Sequence, residues 1–176
     1  MLRYLLPLLV LAAPLSAAGA AFIDPRISVA HGAFCAVETF GESPAPETAA
    51  GKIDLYDDVP RIRWHGQIVP AHGVMTFGIV SKSPDGAVYN DVEIILRHPP
   101  FRESGVTEQR YLTVLGGAGN SINAYSFDFP EEMVPGTWEF EAIWQGETLY
   151  KIPFEVVPAS MMPDMISACL DRTLTS

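Results

Sequence analysis

From Gly136 to Val157 the chain reads GTWEFEAIWQGETLYKIPFEVV, and this stretch limits the possible folds more than any other. Trp138, Phe140, Ala142 and Trp144 occupy alternate positions, with Thr137 before them, Glu139 and Glu141 between them and Gln145 following. A period of two residues gives a strand one apolar face and one wet face. After a turn at Gln145-Gly146-Glu147, the alternation restarts at Tyr150, Ile152, Phe154 and Val156. Such a half-wet antiparallel pair needs a second apolar sheet to cover it, so the chain is expected to form a β-sandwich. Pro153 lies inside the second strand and has no amide hydrogen. That strand is therefore expected to be a sheet edge or to turn its nitrogen outward.

Further strands are expected at residues 27–37, 53–56, 62–68, 74–80, 92–96, 109–115 and 122–129, separated by turn residues. Ser83-Pro84-Asp85-Gly86, Pro135-Gly136 and Gln145-Gly146 carry recognised turn chemistry, and Gly116–Ser121 (GGAGNS) reads as a hairpin turn. Short strands at this spacing predict an all-β, immunoglobulin-like antiparallel β-sandwich. Residues 41–51, GESPAPETAAG, contain no core-forming side chains and read as a mobile loop. Residues 161–174 place Met165 and Cys169 on one helical face, with Pro163 and Asp164 near the start. They predict a short C-terminal helix.

The chain opens with a pattern of its own. Arg3, an apolar core from Leu5 to Leu15 and the small residues Ala18-Gly19-Ala20 form a secretory leader over residues 1–20, with cleavage near Ala21. The apolar run is shorter than the roughly 18 to 20 residues of a membrane-spanning helix. Residues 21–176 then form one expected domain, periplasmic or secreted, with no membrane insertion after cleavage. Both cysteines lie in it, Cys35 early and Cys169 late. In an oxidising compartment this pair reads first as a disulfide. Two buried free thiols and a redox pair are the alternatives, and the C-x-x-C spacing of a redox pair is absent.

The net charge is −10. Removing the leader takes away Arg3 and no acid, so the exported chain is more acidic still. Such a surface repels phosphate backbones and anionic lipid head groups, which argues against nucleic-acid and membrane-surface partners.

Several segments are similar to one another's counterparts in a known family. The early strand with Gly32, IVPAHGVMTFGI at residues 68–79, LRHPP at residues 96–100 and the segment from Met133 to Val156 resemble DUF3859, a bacterial family of exported domains of unknown function. The family-like core runs from about residue 27 to 157. The resemblance implies an immunoglobulin-like all-β domain and supplies no catalytic residues. The 41–51 segment and the Met-rich C-terminal helix read as lying outside the shared pattern.

The chemical candidates are weak. Trp64 beside Arg61, Arg63 and His65 is the best surface aromatic for stacking on a sugar, whereas Trp138 and Trp144 share a core face with Phe140. Trp64, His65, His72 and His98 are the candidate ligand-binding residues. Met161, Met162 and Met165 offer soft thioethers for Cu(I), and Asp54, Asp57 and Asp58 offer hard oxygens for Ca²⁺, although neither set has a recognised ligand spacing. No G-x-S-x-G elbow and no metalloprotease motif occurs. Glu131-Glu132 and Glu139/Glu141 read as solvated pairs. The expectation is an exported, non-catalytic module without a cofactor, working through an envelope protein partner at its loops or at the edge near Pro153. The alternative is a periplasmic carrier, of copper through the Met/His set or of glycan through Trp64.

Overall fold

The computed structural model describes residues 19–173. The leader expected over residues 1–20 lies outside the described residues except for Gly19 and Ala20. The hairpin from Gly136 to Val157 is the spine of the larger sheet: β11 (Gly136–Trp144) runs antiparallel to β12 (Glu147–Pro158). Gln145 and Gly146 form a two-residue turn with φ of 51° and 83°. Positive φ at both positions matches the right-handed twist of the strands it joins.

Strands β1 (Phe22–Ile23), β6 (Ile68–Ala71), β8 (Val88–Arg97) and β9 (Glu108–Gly116) complete this sheet, in the order β1-β12-β11-β8-β9 with β6 parallel to β12. The facing sheet runs β10-β7-β2-β5, from β10 (Ser121–Ser126), β7 (Met75–Lys82), β2 (Ser28–Cys35) and β5 (Trp64–His65). Apolar inner faces close on each other. Phe77 of β7 meets Trp138, Phe140 and Phe154 at ring-centre distances of 5.6, 5.9 and 5.1 Å. Trp138, Phe140, Ala142, Ile152 and Phe154 are buried, as the alternation requires. Edge-to-face pairs of this kind add about 0.5–1.5 kcal/mol each beyond the area they bury. Trp144 departs from the row. A register shift between Ala142 and Ile143 leaves it half-buried, edge-on to Tyr89 at 5.0 Å.

The outer edge of β12 is not free. β1 pairs with Tyr150 and Lys151, and β6 pairs with Glu155 to Pro158. Pro153 falls in the gap between them and is buried. The Glu155 amide points outward to the Gln67 carbonyl at 2.7 Å, so two residues earlier the hydrogen-less nitrogen of Pro153 points outward as well. Gln67 Nε2 donates to the Pro153 carbonyl at 2.6 Å and closes the gap.

Three expectations need correction. Residues 62–68 do not form one strand. Ile62 is buried, β5 pairs with β2 in one sheet, and β6 pairs with β12 in the other, with Gly66 at φ 136° between them. Residues 41–51 are not a free loop. β3 (Gly41–Pro44) pairs with β4 (Lys52–Leu55) as a separate hairpin arm, and Thr48 closes its tip, its one hydroxyl hydrogen shared between the carbonyls of Ala45 (2.8 Å) and Lys52 (3.0 Å). Gly116–Ser121 does not turn a hairpin, because β9 and β10 belong to different sheets.

The expected helix is α1 (Pro163–Thr173), which buries Met165 and Cys169. A Cys35–Cys169 disulfide joins it to the end of β2, with Cα atoms 5.3 Å apart. Arg63 adds a second tie: its guanidinium donates to the Ala168 carbonyl at 3.1 Å and lies over the Trp64 ring at 4.6 Å.

Candidate functional site

β9 ends one sheet and β10 ends the other, with residues 117–120 linking them. The sandwich is therefore open along this side. A cleft of about 400 Å³ lies between the two edges, lined by Leu96, Tyr111, Asn123, Tyr125 and Phe140 on its inner side. That volume falls within the range of ligand pockets, about 300–1,000 Å³.

The β3–β4 arm straps the opening. Its tip bonds to β9, where the Arg110 amide donates to the Glu47 carbonyl at 3.0 Å and the Ala49 amide donates to Gln109 Oε1 at 2.8 Å. Past β4, Tyr56 reaches the other sheet and meets Phe34 at 6.5 Å, edge to face. A chain that crosses from one edge to the other explains why the Pro- and Ala-rich 41–51 segment is ordered. Its order comes from pairing partners and not from a core of its own.

Behind the cleft lining lies a buried polar cluster. Ala142 lies level with Tyr150 on β12 and with Ile94 on β8, and Ile94 lies level with Tyr111 on β9. Two tyrosines thus flank Ala142 and Ile94, and both approach Asn123 of the facing sheet. Tyr111 donates its hydroxyl hydrogen to Asn123 Oδ1 at 3.1 Å. Burial, and then the neighbouring Tyr56, push the Tyr111 pKa up. Tyr150 shifts the same way through burial first and Tyr111 second; Asn123 lies close enough to offset this slightly but not within hydrogen-bonding geometry. Asn123 Nδ2 and the Tyr150 hydroxyl are both buried without a partner. A buried donor left unpaired costs about 1–3 kcal/mol, so these atoms need an explanation.

The mouth is acidic. Asp54 on β4 lies 3.7 Å from Lys52, which also pairs with Glu42. Asp128 is exposed on the rim; one-sided burial and then repulsion from Asp54 raise its pKa, and Lys52 only partly opposes this. Glu132 is 3 % exposed, which overturns the expectation of a solvated Glu131-Glu132 pair. It lies in a single 3₁₀ turn (Pro130–Glu132), and its Oε2 accepts from the amides of Asp128 (3.0 Å) and Phe129 (3.3 Å). Burial raises its pKa, against these bonds. The basic side chains of the larger sheet are engaged on its outer face: Arg97 bonds Glu108, Glu139 and Glu141 at 3.1, 3.2 and 2.6 Å, and Arg110 bonds Glu93 at 2.9 Å. Glu139 and Glu141 are half-buried in that network and not simply solvated.

The residues singled out from sequence do not gather at this cleft. Trp64 and His65 lie on β5, with Trp64 half-buried under Arg63 and His65 exposed beside His31. His72 accepts the Val74 amide at a turn, 3.2 Å away. His98 is buried, stacked on Phe101 at 4.0 Å and on Trp138 at 4.6 Å. No hydrogen bond or ring contact joins Trp64, His65, His72 and His98 to one another. Met161 is exposed, Met162 packs against the core and Met165 is buried, so the three thioethers occupy three different environments. Of the acidic trio only Asp54 lines the cleft, while Asp57 and Asp58 are exposed after β4. Among the described residues no group of three or more His, Cys, Asp or Glu side chains is arranged to hold a metal ion. Sequence reading missed Asn123, Tyr111 and Glu132, because their roles depend on strands brought together from different sheets.

Comparison with known proteins agrees with this architecture. The family described as a domain of unknown function, DUF3859, matches residues 26–156. The chain belongs to the DUF3859 family. The matched span of this DUF3859 domain includes the arm, contrary to the expectation that residues 41–51 lie outside the shared pattern, and it stops short of α1. Among solved structures, an immunoglobulin-like protein of Pseudomonas aeruginosa is 19 % identical, with a TM-score of 0.50 over 79 % of this chain and 98 % of that one. At this identity the likeness concerns the fold. No curated protein matches the chain.

Proposed function

We propose that this DUF3859 domain is an exported, non-catalytic binding module that receives a protein partner in the cleft between β9 and β10, under the β3–β4 arm. The carrying observation is the buried, unpartnered Nδ2 of Asn123 in the lining of an open cleft. A polar atom that is satisfied neither by its own fold nor by bulk solvent suits a bound acceptor. The flanking strands support the reading, since each is a sheet end whose outer edge can pair with an added chain. A non-catalytic role fits how the carboxylates are employed: Glu132 caps two backbone amides and Asp54 faces Lys52. The leader pattern and the Cys35–Cys169 bridge favour export into an oxidising compartment. Among the described residues no helix is long and apolar enough to cross a membrane.

The test is a photo-crosslinking amino acid placed in the native host at Thr113 or Ile122, with Glu155 on the far sheet face as control. Adducts of one discrete mass from the two cleft positions alone are expected. Adducts from all three positions, or from Glu155 only, would remove the cleft from the function.

A further inference from the structure

The cleft has two chemical ends. Its inner end holds Asn123, 2 % exposed, whose Oδ1 accepts from Tyr111 while its Nδ2 has no hydrogen-bond partner, with the equally unpartnered Tyr150 hydroxyl near it. Its mouth holds Asp54 and Asp128, which repel each other, with Lys52 shared between Asp54 and Glu42. An occupant that satisfies both ends carries an acceptor to take the amide hydrogen and a cation to lie between the carboxylates. The edge of β9 adds a third requirement. On that edge the Arg110 amide already donates to the Glu47 carbonyl, so the arm tip makes one rung of an added strand and stops. Beyond that rung Leu112 and Val114 are 64 % and 51 % exposed, a pair of bare apolar side chains next to an open edge.

We propose that the cleft binds an extended, basic peptide segment of a partner protein, resting on the reading above. The segment continues along β9 where the arm tip leaves off. One backbone carbonyl accepts from Asn123 Nδ2, and a Lys or Arg side chain lies between Asp54 and Asp128. Outward-facing apolar side chains of the segment cover Leu112 and Val114, since side chains alternate on an added strand. The overall charge of −10 steers such a segment toward the protein.

The experiment uses the exported, disulfide-bonded chain and three fluorescein-labelled nonapeptides of alternating sequence: Val-Lys, Val-Ser and Val-Glu repeats. Backbone amide NMR locates each peptide and fluorescence anisotropy gives its affinity. The Val-Lys peptide is expected to bind, to shift the amide signals of residues 111–115 and 121–126, and to weaken about tenfold in an Asp54→Asn/Asp128→Asn variant. Raising NaCl from 50 to 500 mM is expected to weaken it further. Asn123→Asp, which keeps the acceptor for Tyr111 and removes the free donor, is expected to reduce affinity even though it adds a negative charge. If the Val-Ser or Val-Glu peptides bind the same strands as tightly, the basic character is overturned while the cleft stands as a binding site. If the Val-Lys peptide shifts only signals outside residues 111–115 and 121–126, the inference fails. Absence of crosslinks at Thr113 and Ile122 as well would then overturn the cleft reading itself.

Discussion

His98 is held between two rings, those of Phe101 and Trp138, and its two nitrogens have fixed and opposite tasks. Nδ1 lies 2.8 Å from the Pro99 carbonyl and must donate there, which leaves Nε2 to accept from Gln109 Nε2 at 3.2 Å. The Gln109 bond requires the neutral ring, whereas the Pro99 bond is kept by the protonated one. Burial sets its pKa below the ordinary 6.5, opposed in part by the Pro99 bond. As pH falls, the unfolded chain therefore takes up the proton before the folded one. Stability from this site is complete above about pH 6.5, declines below it, and levels off once the folded pKa has been passed. His31 is shifted in the same direction, chiefly by burial and then by His65, and adds to the decline. Melting temperatures at pH 7.5 and 5.5 are expected to differ less in His98→Gln than in the parent. An equal drop in both proteins would show that His98 is not the source. His98 was visible in the sequence as a loop histidine near prolines. Its burial was not, because the rings that enclose it come from residues 101 and 138.

At the scale of elements, the arm is the part of the fold that its own residues least announce. β11 and β12 could be read in advance because each carries a full alternation and their turn has the required glycine. Two-residue strands such as β1 and β5 have no period to detect, and the only apolar side chain of β3 is that of Pro44. These short elements exist because a neighbouring strand presents unpaired backbone groups. The arm accordingly hangs on few bonds, and Gln109 makes one of them while also serving His98. Gln109→Ala is expected to lower global stability by about 1–3 kcal/mol, chiefly through the buried His98 nitrogen left without its donor. Hydrogen exchange at residues 45–51 is expected to rise far more than in the β11–β12 hairpin. Unchanged protection at Ala49 would mean that the Glu47–Arg110 bond alone holds the tip. The cleft stayed hidden for the same reason: its walls, β9 and β10, are separate strands in sequence and become one site only once the two sheets have packed.

For the whole molecule, the disulfide closes a loop of 134 residues between the end of β2 and α1. The bridge restricts the unfolded chain more than the folded one, so a Cys35→Ser/Cys169→Ser variant is expected to lose about 2–5 kcal/mol in urea unfolding. Because Arg63 still ties α1 at Ala168, the sandwich core is expected to remain folded in mild conditions, with the loss read mainly as a lower urea midpoint. An unchanged midpoint would count against a structural role for the bridge. The immunoglobulin-like layering was legible from the spacing of strands and turns, and the bridge from the even cysteine count. The opening between the two sheets followed from neither, since it depends on which strands end up without a neighbour.

That same covalent link decides how the protein responds to tension. A pull on the polypeptide outside residues 35 and 169 passes from one sulfur to the other, so nearly all of the sandwich between them is spared the load. The two-residue β1 at the rim, held to β12 by the pairing of Phe22 and Ile23 alone, is expected to yield first, peeling away like the free end of a tape while the interior keeps its shape.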